Sequence, residues 1–324
     1  MKAIVCKEYG PPSTLVLEEL PDLVPGPKEV LVDIKAAGVN FPDTLIIRGL
    51  YQFKPALPFT PGSDIAGVVK AVGECIKHVK PGDEVLGMVM TGAFAEQVLV
   101  PADMCFPQPP GMPPKIAASF MMAYGTSYYA LKDRAKLKAG ETLLVLGASG
   151  GVGLAAVELG KLMGARVIAA ASTDEKLQLC QQYGADEIIN YTREDLKAKV
   201  KELTNGKGAN VIYDPVGGEY TEPALRSIAW EGRYLVVGFA AGNIPKIPLN
   251  LALLKGCQIV GVFWGSFAMR SPKDNMSNTI ELIQWYAQRK LKPHIHATYP
   301  LAETPKALEA MMNREVRGKV VIEM

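Results

Sequence analysis

The chain has 324 residues, of which 48% are hydrophobic and 21% are charged, and 35 Lys and Arg residues nearly balance 33 Asp and Glu residues. A chain of this length is longer than one hydrophobic core usually accommodates, so it predicts two domains. The composition is typical of a soluble globular protein. A net charge of +2 gives no reason to expect binding to nucleic acid.

The N-terminal stretch MKAIVCKEYG alternates like a β-strand and lacks the continuous apolar core of a signal peptide, and no window approaches a membrane-spanning run. These features predict a cytoplasmic protein with no membrane partner. The five cysteines are scattered and form no Cys-x-x-Cys pair, which indicates reduced thiols rather than a disulfide framework or a zinc knuckle.

The first part of the chain carries short runs typical of β-strands, separated by Pro and Gly: EVLVDIKAAGV, IAGVVKAVG, DEVLGMV and AEQVLVP. They predict a β-rich domain. From about Pro113 the spacing becomes helical in KIAASFMMAYGTSYYALKDRA, and strands then alternate with helices. Six runs qualify as these strands: TLLVLG, RVIAAA, EIIN, NVIYDPVG, RYLVVGF and QIVGVFW. Their number and alternation predict an α/β fold with a doubly wound parallel sheet of the Rossmann type.

The C-terminal segment contains a helix in MSNTIELIQWYAQRK, followed by PLAETPKALEAMMNREV and a last strand in GKVVIEM. It is too short for a third domain, so we expect it to return to the first. The predicted division is a discontinuous β-rich catalytic domain of residues 1–125 and 266–324 and a dinucleotide-binding domain of residues 126–265.

The stretch GASGGVG (147–153) follows a predicted strand and opens a predicted helix. Backbone N–H groups and the positive end of the helix dipole meet at such a point, which suits a pyrophosphate. Aligned with G-x-G-x-x-G, the stretch has Ala148 in place of the first glycine, Gly150 where the backbone approaches the ligand, and Gly153 where the helix packs on the strand. A tight turn without a ligand is the alternative.

The residues after the next strand indicate which cofactor binds. NAD-specific sites carry Asp or Glu about twenty residues after the loop, whereas this chain has Ser172 and Thr173. These hydroxyls and Lys176 suit the 2′-phosphate of NADPH. In the alternative, Ser172 and Thr173 form an ordinary helix N-cap, with Asp174 and Glu175 directed to solvent, and the two roles are compatible.

Several motifs spread over the whole chain resemble one family: AAGVNFPDTLIIRGLY, LPFTPGSDIAGVV, GAFAEQVLVP, GASGGVG, VIYDPVGG and GKVVIEM. The sequence resembles the zinc-independent quinone oxidoreductases of the medium-chain dehydrogenase/reductase superfamily, the group that includes zeta-crystallin. The resemblance implies a GroES-like β-domain built from both chain ends, an inserted Rossmann domain, and an active site in the cleft.

The resemblance also implies a set of cofactor contacts. The cofactor would lie across Gly150, Gly151 and Val152, with Tyr191 near its 2′-phosphate. The further positions that match contacts in the family are Thr126, Tyr129, Phe239, Phe263, Trp264 and Arg314. Core packing is the alternative for the aromatic residues, and their predicted place at carboxyl ends of strands favours the cofactor role.

Zinc alcohol dehydrogenases of the same superfamily carry Cys where this chain has Asn40, and His where it has Ser63 before Asp64. The three histidines, His78, His294 and His296, have no spacing that replaces these ligands. The resemblance therefore implies hydride transfer from NADPH to a quinone or a related electron-poor enone without a metal.

Asn40 and Tyr51 are the candidate hydrogen-bond donors to the acceptor oxygen, because an amide and a phenol are neutral donors. Asp43 is the third residue carried over from the motif, and its alternative role is to cap a helix that begins at Thr44 or to orient Asn40.

Two alternative functions remain open. An acrylyl-CoA-type enoyl thioester reductase needs a basic rim, for which Arg48, Lys54, Arg270 and Lys273 are candidates. Zeta-crystallin-like proteins also include NADPH-binding structural or RNA-binding proteins, a role that the near-neutral charge does not favour. The last apolar strand, QIVGVFW, would leave an exposed sheet edge, and the resemblance implies a homodimer paired through it.

Overall fold

The computed structural model describes residues 1–324 and divides into two compact units. Unit 1 comprises Met1–Met122 and Pro293–Met324, and unit 2 comprises Ala123–Lys292.

Fifteen strands are present: β1 (Lys2–Val5), β2 (Val16–Glu19), β3 (Glu29–Val39), β4 (Asp64–Val72), β5 (Glu84–Met88), β6 (Gln97–Pro101), β7 (Cys105–Pro107), β8 (Thr142–Leu146), β9 (Arg166–Ala171), β10 (Glu187–Asn190), β11 (Ala209–Asp214), β12 (Ile228–Val236), β13 (Gln258–Gly261), β14 (Ile295–Pro300) and β15 (Lys319–Glu323).

Eleven α-helices are present: α1 (Phe41–Ile46), α2 (Pro114–Ala117), α3 (Met121–Tyr128), α4 (Gly151–Leu162), α5 (Asp174–Gln182), α6 (Leu196–Leu203), α7 (Thr221–Arg226), α8 (Asn250–Lys255), α9 (Trp264–Arg270), α10 (Pro272–Ala287) and α11 (Thr304–Met312). A π-helical segment, Tyr129–Arg134, continues α3. No helix combines the length and the apolar character that a membrane span requires.

Unit 1 is built on a seven-stranded sheet in the order β14-β15-β3-β4-β5-β7, with β6 also paired to β3, and a separate hairpin pairs β1 with β2. Strand β3 is central because its eleven residues pair with β4, β6 and β15 and are mostly buried. The last strand, β15, runs antiparallel to β3, so the expected return of the C-terminal segment to the first domain is confirmed.

Unit 2 is built on a six-stranded sheet in the order β10-β9-β8-β11-β12-β13, and every pair in it is parallel. Each strand overlaps one of the six runs predicted from the sequence. The order reverses between β8 and β11, as in doubly wound dinucleotide folds. The predicted fold class, a β-rich domain with a Rossmann-type parallel sheet, is thereby confirmed.

The predicted second domain boundary, after residue 265, requires correction. Residues 266–292 belong to unit 2, because α9 and α10 pack and bond within it. Lys132 Nζ donates to Asn278 Oδ1 at 2.9 Å, and the ring of Tyr128 packs edge-on against Trp285 at 5.1 Å. The return to unit 1 begins only at Pro293.

All five cysteines are free thiols, three of them buried. Cys105 and Cys180 lie in apolar surroundings, and burial raises the pKa of each to about 12. Such thiols remain protonated and serve packing rather than chemistry.

Candidate active site

The glycine loop between β8 and α4 is tightly packed. A Cβ atom added to Gly153 would lie 2.3 Å from the carbonyl oxygen of Gly147, so the close packing expected at Gly153 is confirmed. Gly147 has a φ of +55°, and a side chain there would meet Val216 Cγ2 at 2.7 Å. A Cβ at Gly150 would meet only the Gly147 oxygen, at 3.4 Å. The loop therefore needs glycine at 147 and 153 to fold, but not at 150.

Helix α4 begins without a side-chain cap. Its N-cap residue, Gly150, offers no side-chain acceptor, whereas Thr173 caps α5 and Asp195 caps α6. The first N–H groups of a helix have no partner within the helix. Residues Gly151 and Val152 thus present backbone donors and the positive helix end at a half-exposed surface, which fits the pyrophosphate of a dinucleotide.

The turn between β9 and α5 carries the hydroxyls and the lysine that the sequence singled out. Thr173 Oγ1 accepts a hydrogen bond from the backbone N–H of Lys176 at 3.4 Å, so the N-cap role is present. Lys176 Nζ lies 3.3 Å from Ser172 Oγ, which places an ammonium group and two hydroxyls at one corner of unit 2. This donor set fits a phosphate monoester.

The carboxylate of Asp174, next to Thr173 in the chain, is held by two other residues. Asp174 Oδ1 accepts a hydrogen bond from Asn190 Nδ2 at 2.8 Å and pairs with the Arg193 guanidinium. These partners lower the pKa of Asp174 and keep it ionised. Thr192 Oγ1 also bonds the carbonyl oxygen of Ser172 at 3.1 Å, which ties the end of β10 to the same turn.

Two residues that the sequence analysis did not identify shape the neighbouring loops. Ser127 Oγ donates to the carbonyl oxygen of Val152 at 2.7 Å, so α3, which also carries Thr126, lies beside the glycine loop. Asp214 accepts bonds from the N–H groups of Val216 and Gly217, both at 2.8 Å, and from Tyr234 Oη at 2.5 Å. The sequence feature that could have identified Asp214 is its place at the end of a strand, shortly before the pair Gly217 and Gly218.

The predicted aromatic contacts fall into different environments. Tyr129 stacks on Phe267 with ring centroids 4.1 Å apart, and Tyr191 packs against Tyr220 at 4.2 Å. Phe239 packs over Gly217, where an added Cβ would meet its ring at 2.8 Å.

The two aromatic residues after β13 differ in exposure. Phe263 is 51% exposed, whereas Trp264 is buried, packs against Gly125 and donates from Nε1 to Asn275 Oδ1 at 3.0 Å. Core packing, the alternative reading for the aromatic residues, accounts for Trp264. Arg314 lies in unit 1, exposed, in a turn with a φ of +60° after α11.

A cluster of buried polar side chains occupies the edge of unit 1 where β3, β4 and β15 meet α1. Asn40 follows β3 directly, and the pairing of Val320 with Val39 brings Lys319 beside it. Asp64 begins β4, and Asp43 lies in the first turn of α1. These four side chains are at most 6% exposed.

The hydrogen bonds of the cluster are specific. Lys319 Nζ donates to Asn40 Oδ1 at 2.5 Å and lies 3.5 Å from Asp64 Oδ2. Asn40 Nδ2 donates to Asp64 Oδ2 at 3.1 Å, and Asp64 Oδ1 accepts from the N–H of Met122 at 3.2 Å. Asp43 Oδ2 accepts from the backbone N–H of Asn40 at 2.7 Å. This last bond is part of the capping box of α1, so Asp43 orients Asn40, which is one of its two predicted alternatives. The other alternative requires correction, because α1 begins at Phe41 and not at Thr44.

Burial dominates the electrostatics of this cluster. Loss of hydration raises the pKa of Asp43 to about 7, against the opposing effects of the Asn40 N–H and of Lys319. Burial also lowers the pKa of Lys319. The pKa of Tyr51 is raised, first by burial and then by the charge of Asp43, so its phenol remains protonated at neutral pH.

The expectation that Asn40 donates to an acceptor oxygen requires correction. Its amide oxygen is taken by Lys319, and its amide hydrogens are directed to Asp64, Ser63 and Gly38 at 3.1 to 3.4 Å. The amide is thus engaged within unit 1. Tyr51 is half-buried and remains the predicted donor. Lys319, which lies in the quoted motif GKVVIEM but was not singled out there, belongs to the cluster.

The residues at the two positions that hold zinc ligands in alcohol dehydrogenases do not fit a zinc ion. Asn40 and Ser63 offer neither thiolate nor imidazole, and the Lys319 ammonium lies among them. No group of three His, Cys, Asp or Glu side chains in the chain is arranged to bind a metal.

Comparisons with known proteins agree with this architecture. Residues 26–110 match the family profile described as "Alcohol dehydrogenase GroES-like domain", and residues 151–285 match "Zinc-binding dehydrogenase". The chain is 40% identical over 324 residues to a "Quinone oxidoreductase-like protein 2 homolog" of Nematostella vectensis, covering 99% of this chain and 88% of that protein.

Two further relatives extend the comparison. A "Quinone oxidoreductase" of Rattus norvegicus is 33% identical, with 99% of this chain and 97% of the relative covered. The crystal structure of Escherichia coli quinone oxidoreductase complexed with NADPH superposes with a TM-score of 0.94 at 30% identity and covers 100% of both chains.

Proposed function

The chain belongs to the quinone oxidoreductases of the medium-chain dehydrogenase/reductase superfamily, and from this premise we propose that it is an NADPH-dependent reductase that transfers a hydride to a quinone or a related electron-poor enone without zinc. The observation that carries the proposal is the dinucleotide site of unit 2. In that site, helix α4 begins without a side-chain cap after the glycine loop. The hydroxyls of Ser172 and Thr173 lie with the Lys176 ammonium at the next turn, and the adjacent Asp174 carboxylate is bonded to Asn190.

The residues that would hold NADPH follow from this geometry. Gly150, Gly151 and Val152 would bind the pyrophosphate through backbone N–H groups, and Ser172, Thr173 and Lys176 would bind the 2′-phosphate. The remaining proposed contacts are Thr126, Tyr129, Tyr191, Phe239, Phe263 and Arg314. When bound, NADPH supplies the hydride.

Unit 1 would supply the hydrogen-bond donor. Tyr51 is a neutral phenol whose pKa is raised, so it donates a hydrogen bond to the acceptor oxygen as negative charge develops there. Asn40, Asp43, Asp64 and Lys319 would hold the surrounding backbone in place. No metal ion is required to stabilise the charge, because a quinone or enone delocalises it.

The alternative acrylyl thioester reductase receives less support. Of its candidate basic residues, Arg48 donates from Nε to the carbonyl oxygen of Thr44 at 2.7 Å and is thereby held against α1. Lys54, Arg270 and Lys273 are exposed, which is ordinary for charged surface residues.

A turnover panel tests the proposal. The protein is assayed with NADPH and with NADH against a quinone, an alkenal and an acrylyl thioester, with and without a chelator. We expect turnover of the quinone or the alkenal with NADPH that the chelator leaves intact. Binding of NADPH without turnover of any acceptor would favour a structural or RNA-binding role, and loss of activity on chelation would overturn metal independence.

A further inference from the structure

A buried carboxylate on α4 contacts both ends of unit 2, and the proposed reaction gives it no role. Glu158 is 9% exposed. Its Oε2 accepts a hydrogen bond from Tyr124 Oη at 2.6 Å, and its Oε1 accepts one from the backbone N–H of Lys292 at 2.7 Å. Tyr124 is the second residue of unit 2 and Lys292 is the last. One side chain of α4 therefore holds the two segments through which the chain enters and leaves unit 2.

Each carboxylate oxygen of Glu158 has its own donor, and both bonds have the short lengths typical of charge-assisted hydrogen bonds. Burial raises the pKa of Glu158, whereas the bonds from Tyr124 and Lys292 and the positive charge of Lys292 act in the opposite direction. The two donors thus offset part of the cost of burying this carboxylate.

A second bond joins α3 to α4 closer to the glycine loop. Ser127 Oγ donates to the carbonyl oxygen of Val152 at 2.7 Å, in the first turn of α4, and lies 2.9 Å from Tyr213 Oη. Ser127 follows Tyr124 by three residues, so both side chains lie on one face of α3. Val152 and Glu158 are six residues apart, or about 9 Å along α4. The two helices are therefore fixed to each other at two levels.

The last residues of unit 2 form a turn after α10. The N–H of Lys290 donates to the carbonyl oxygen of Trp285 at 2.9 Å, and Leu291 is 2% exposed. The bond from the Lys292 N–H to Glu158 then ties the turn to α4. None of these residues is a proposed cofactor contact. A response of Lys292 to the cofactor would therefore have to pass through the structure of unit 2.

We propose that Glu158 is a positioning residue that couples cofactor binding at the N-terminus of α4 to both ends of unit 2. A phosphate bound by the N–H groups of Gly151 and Val152 restrains the first turn of α4. Because Glu158 joins the same helix to Lys292, this restraint also makes opening of the Lys292 bond rarer. The coupling rests on the proposed NADPH site, whereas the bonds of Glu158 can be measured without a ligand.

The first experiment measures amide hydrogen exchange of the full chain by NMR without a ligand. Glu158→Met keeps the length of the side chain but removes both acceptors, so exchange of the Lys292 N–H should become at least about tenfold faster. Glu158→Asp keeps the charge but is one methylene shorter, and it should also speed this exchange. Glu202→Met, exposed on α6, is the matched control and should change nothing at Lys292. Equal exchange in the wild type and in Glu158→Met would overturn the proposal.

The second experiment repeats the measurement with saturating NADPH. In the wild type, exchange should slow at Gly151 and Val152 and, by about fivefold or more, at Lys292. Glu158→Met should lose the effect at Lys292 and keep the effect at the loop. Because coupling is reciprocal, its Kd for NADPH should rise by about the factor by which NADPH protects Lys292 in the wild type.

The outcomes separate the coupling from the proposed function. Protection of the glycine loop without protection of Lys292 in the wild type would overturn the coupling alone, as would protection of Lys292 that survives in Glu158→Met. Absence of protection at both places would overturn the proposed cofactor site and the coupling with it. Should Glu158→Met fail to fold, Glu158→Asp decides the question by the same comparison.

Discussion

Tyr51 is the residue on which the proposed chemistry depends most directly. Tyr51→Phe removes one hydroxyl and little packing, so kcat/KM for a quinone or enone should fall by roughly tenfold to a thousandfold while the Kd for NADPH hardly changes. Steady-state kinetics and a cofactor titration measure the two effects. Full turnover of every acceptor by Tyr51→Phe would show that the phenol only lines the site.

Lys176 tests the choice of cofactor. If its ammonium group binds the 2′-phosphate, Lys176→Ala should weaken NADPH by about 1 to 3 kcal/mol and leave NADH almost unchanged. Comparing KM for the two cofactors measures this difference. Lys199→Ala provides the control, because Lys199 pairs with Glu202 on α6. Equal losses for NADPH and NADH would contradict the assignment.

Asp43 links the stability of the fold to pH. Its pKa is raised from 3.8 to about 7 in the folded chain, so the folded state binds this proton more tightly than the unfolded state. Its contribution to stability is present below the unfolded pKa and is lost as pH rises through the folded one, a change on the order of a few kcal/mol. Denaturant unfolding from acid to neutral pH should show this decline in the wild type and a smaller one in Asp43→Asn.

At the scale of elements, the glycine loop and α4 combine two separable requirements. A Cβ at Gly153 meets backbone at 2.3 Å, whereas one at Gly150 meets its nearest neighbour only at 3.4 Å. Gly153→Ala should therefore lower the free energy of unfolding by about 1 to 3 kcal/mol. Gly150→Ala should keep the stability of the fold but raise the Kd for NADPH at least about tenfold, because the pyrophosphate needs the backbone exposed.

Thermal unfolding measures the stability of Gly150→Ala and Gly153→Ala, and cofactor titration measures their Kd for NADPH. If Gly150→Ala binds NADPH like the wild type, the loop is a tight turn without the proposed ligand. If Gly153→Ala is as stable as the wild type, the contact with Gly147 relaxes at little cost.

For the whole molecule, the open edge of the unit 2 sheet supports the homodimer that the resemblance implies. Strand β13 is the last strand of the sheet, and Ile259 on it is 38% exposed. Leu253, on α8, is 80% exposed, and Leu249, directly before α8, is 73% exposed. An unpaired edge with exposed apolar side chains favours pairing with a second copy.

We therefore expect sedimentation to show a dimer at micromolar concentration. Ile259→Lys should shift the protein to monomer by placing a charge on the edge, whereas Gln182→Lys, exposed on α5, should leave it dimeric. A wild-type monomer at that concentration would argue against pairing through β13.

The sequence by itself determined the features that depend on neighbouring residues. Hydrophobic periodicity predicted the six parallel strands, and the glycines at 147, 150 and 153 predicted the loop, because both signals arise from residues close together in the chain. It also predicted Ser172, Thr173 and Lys176 as 2′-phosphate ligands, and these three residues are close together in the chain.

Only the tertiary structure decided the contacts between distant segments. Lys319 meets Asn40 because β15 pairs with β3, and no local pattern records a contact across 279 residues. The packing of α9 and α10 within unit 2 was likewise not predictable from local patterns. It places the boundary after Lys292 and not after residue 265. A charge buried among partners from three strands acquires its protonation state from that assembly, because desolvation and Coulomb energy depend on distance in space and not on distance along the chain.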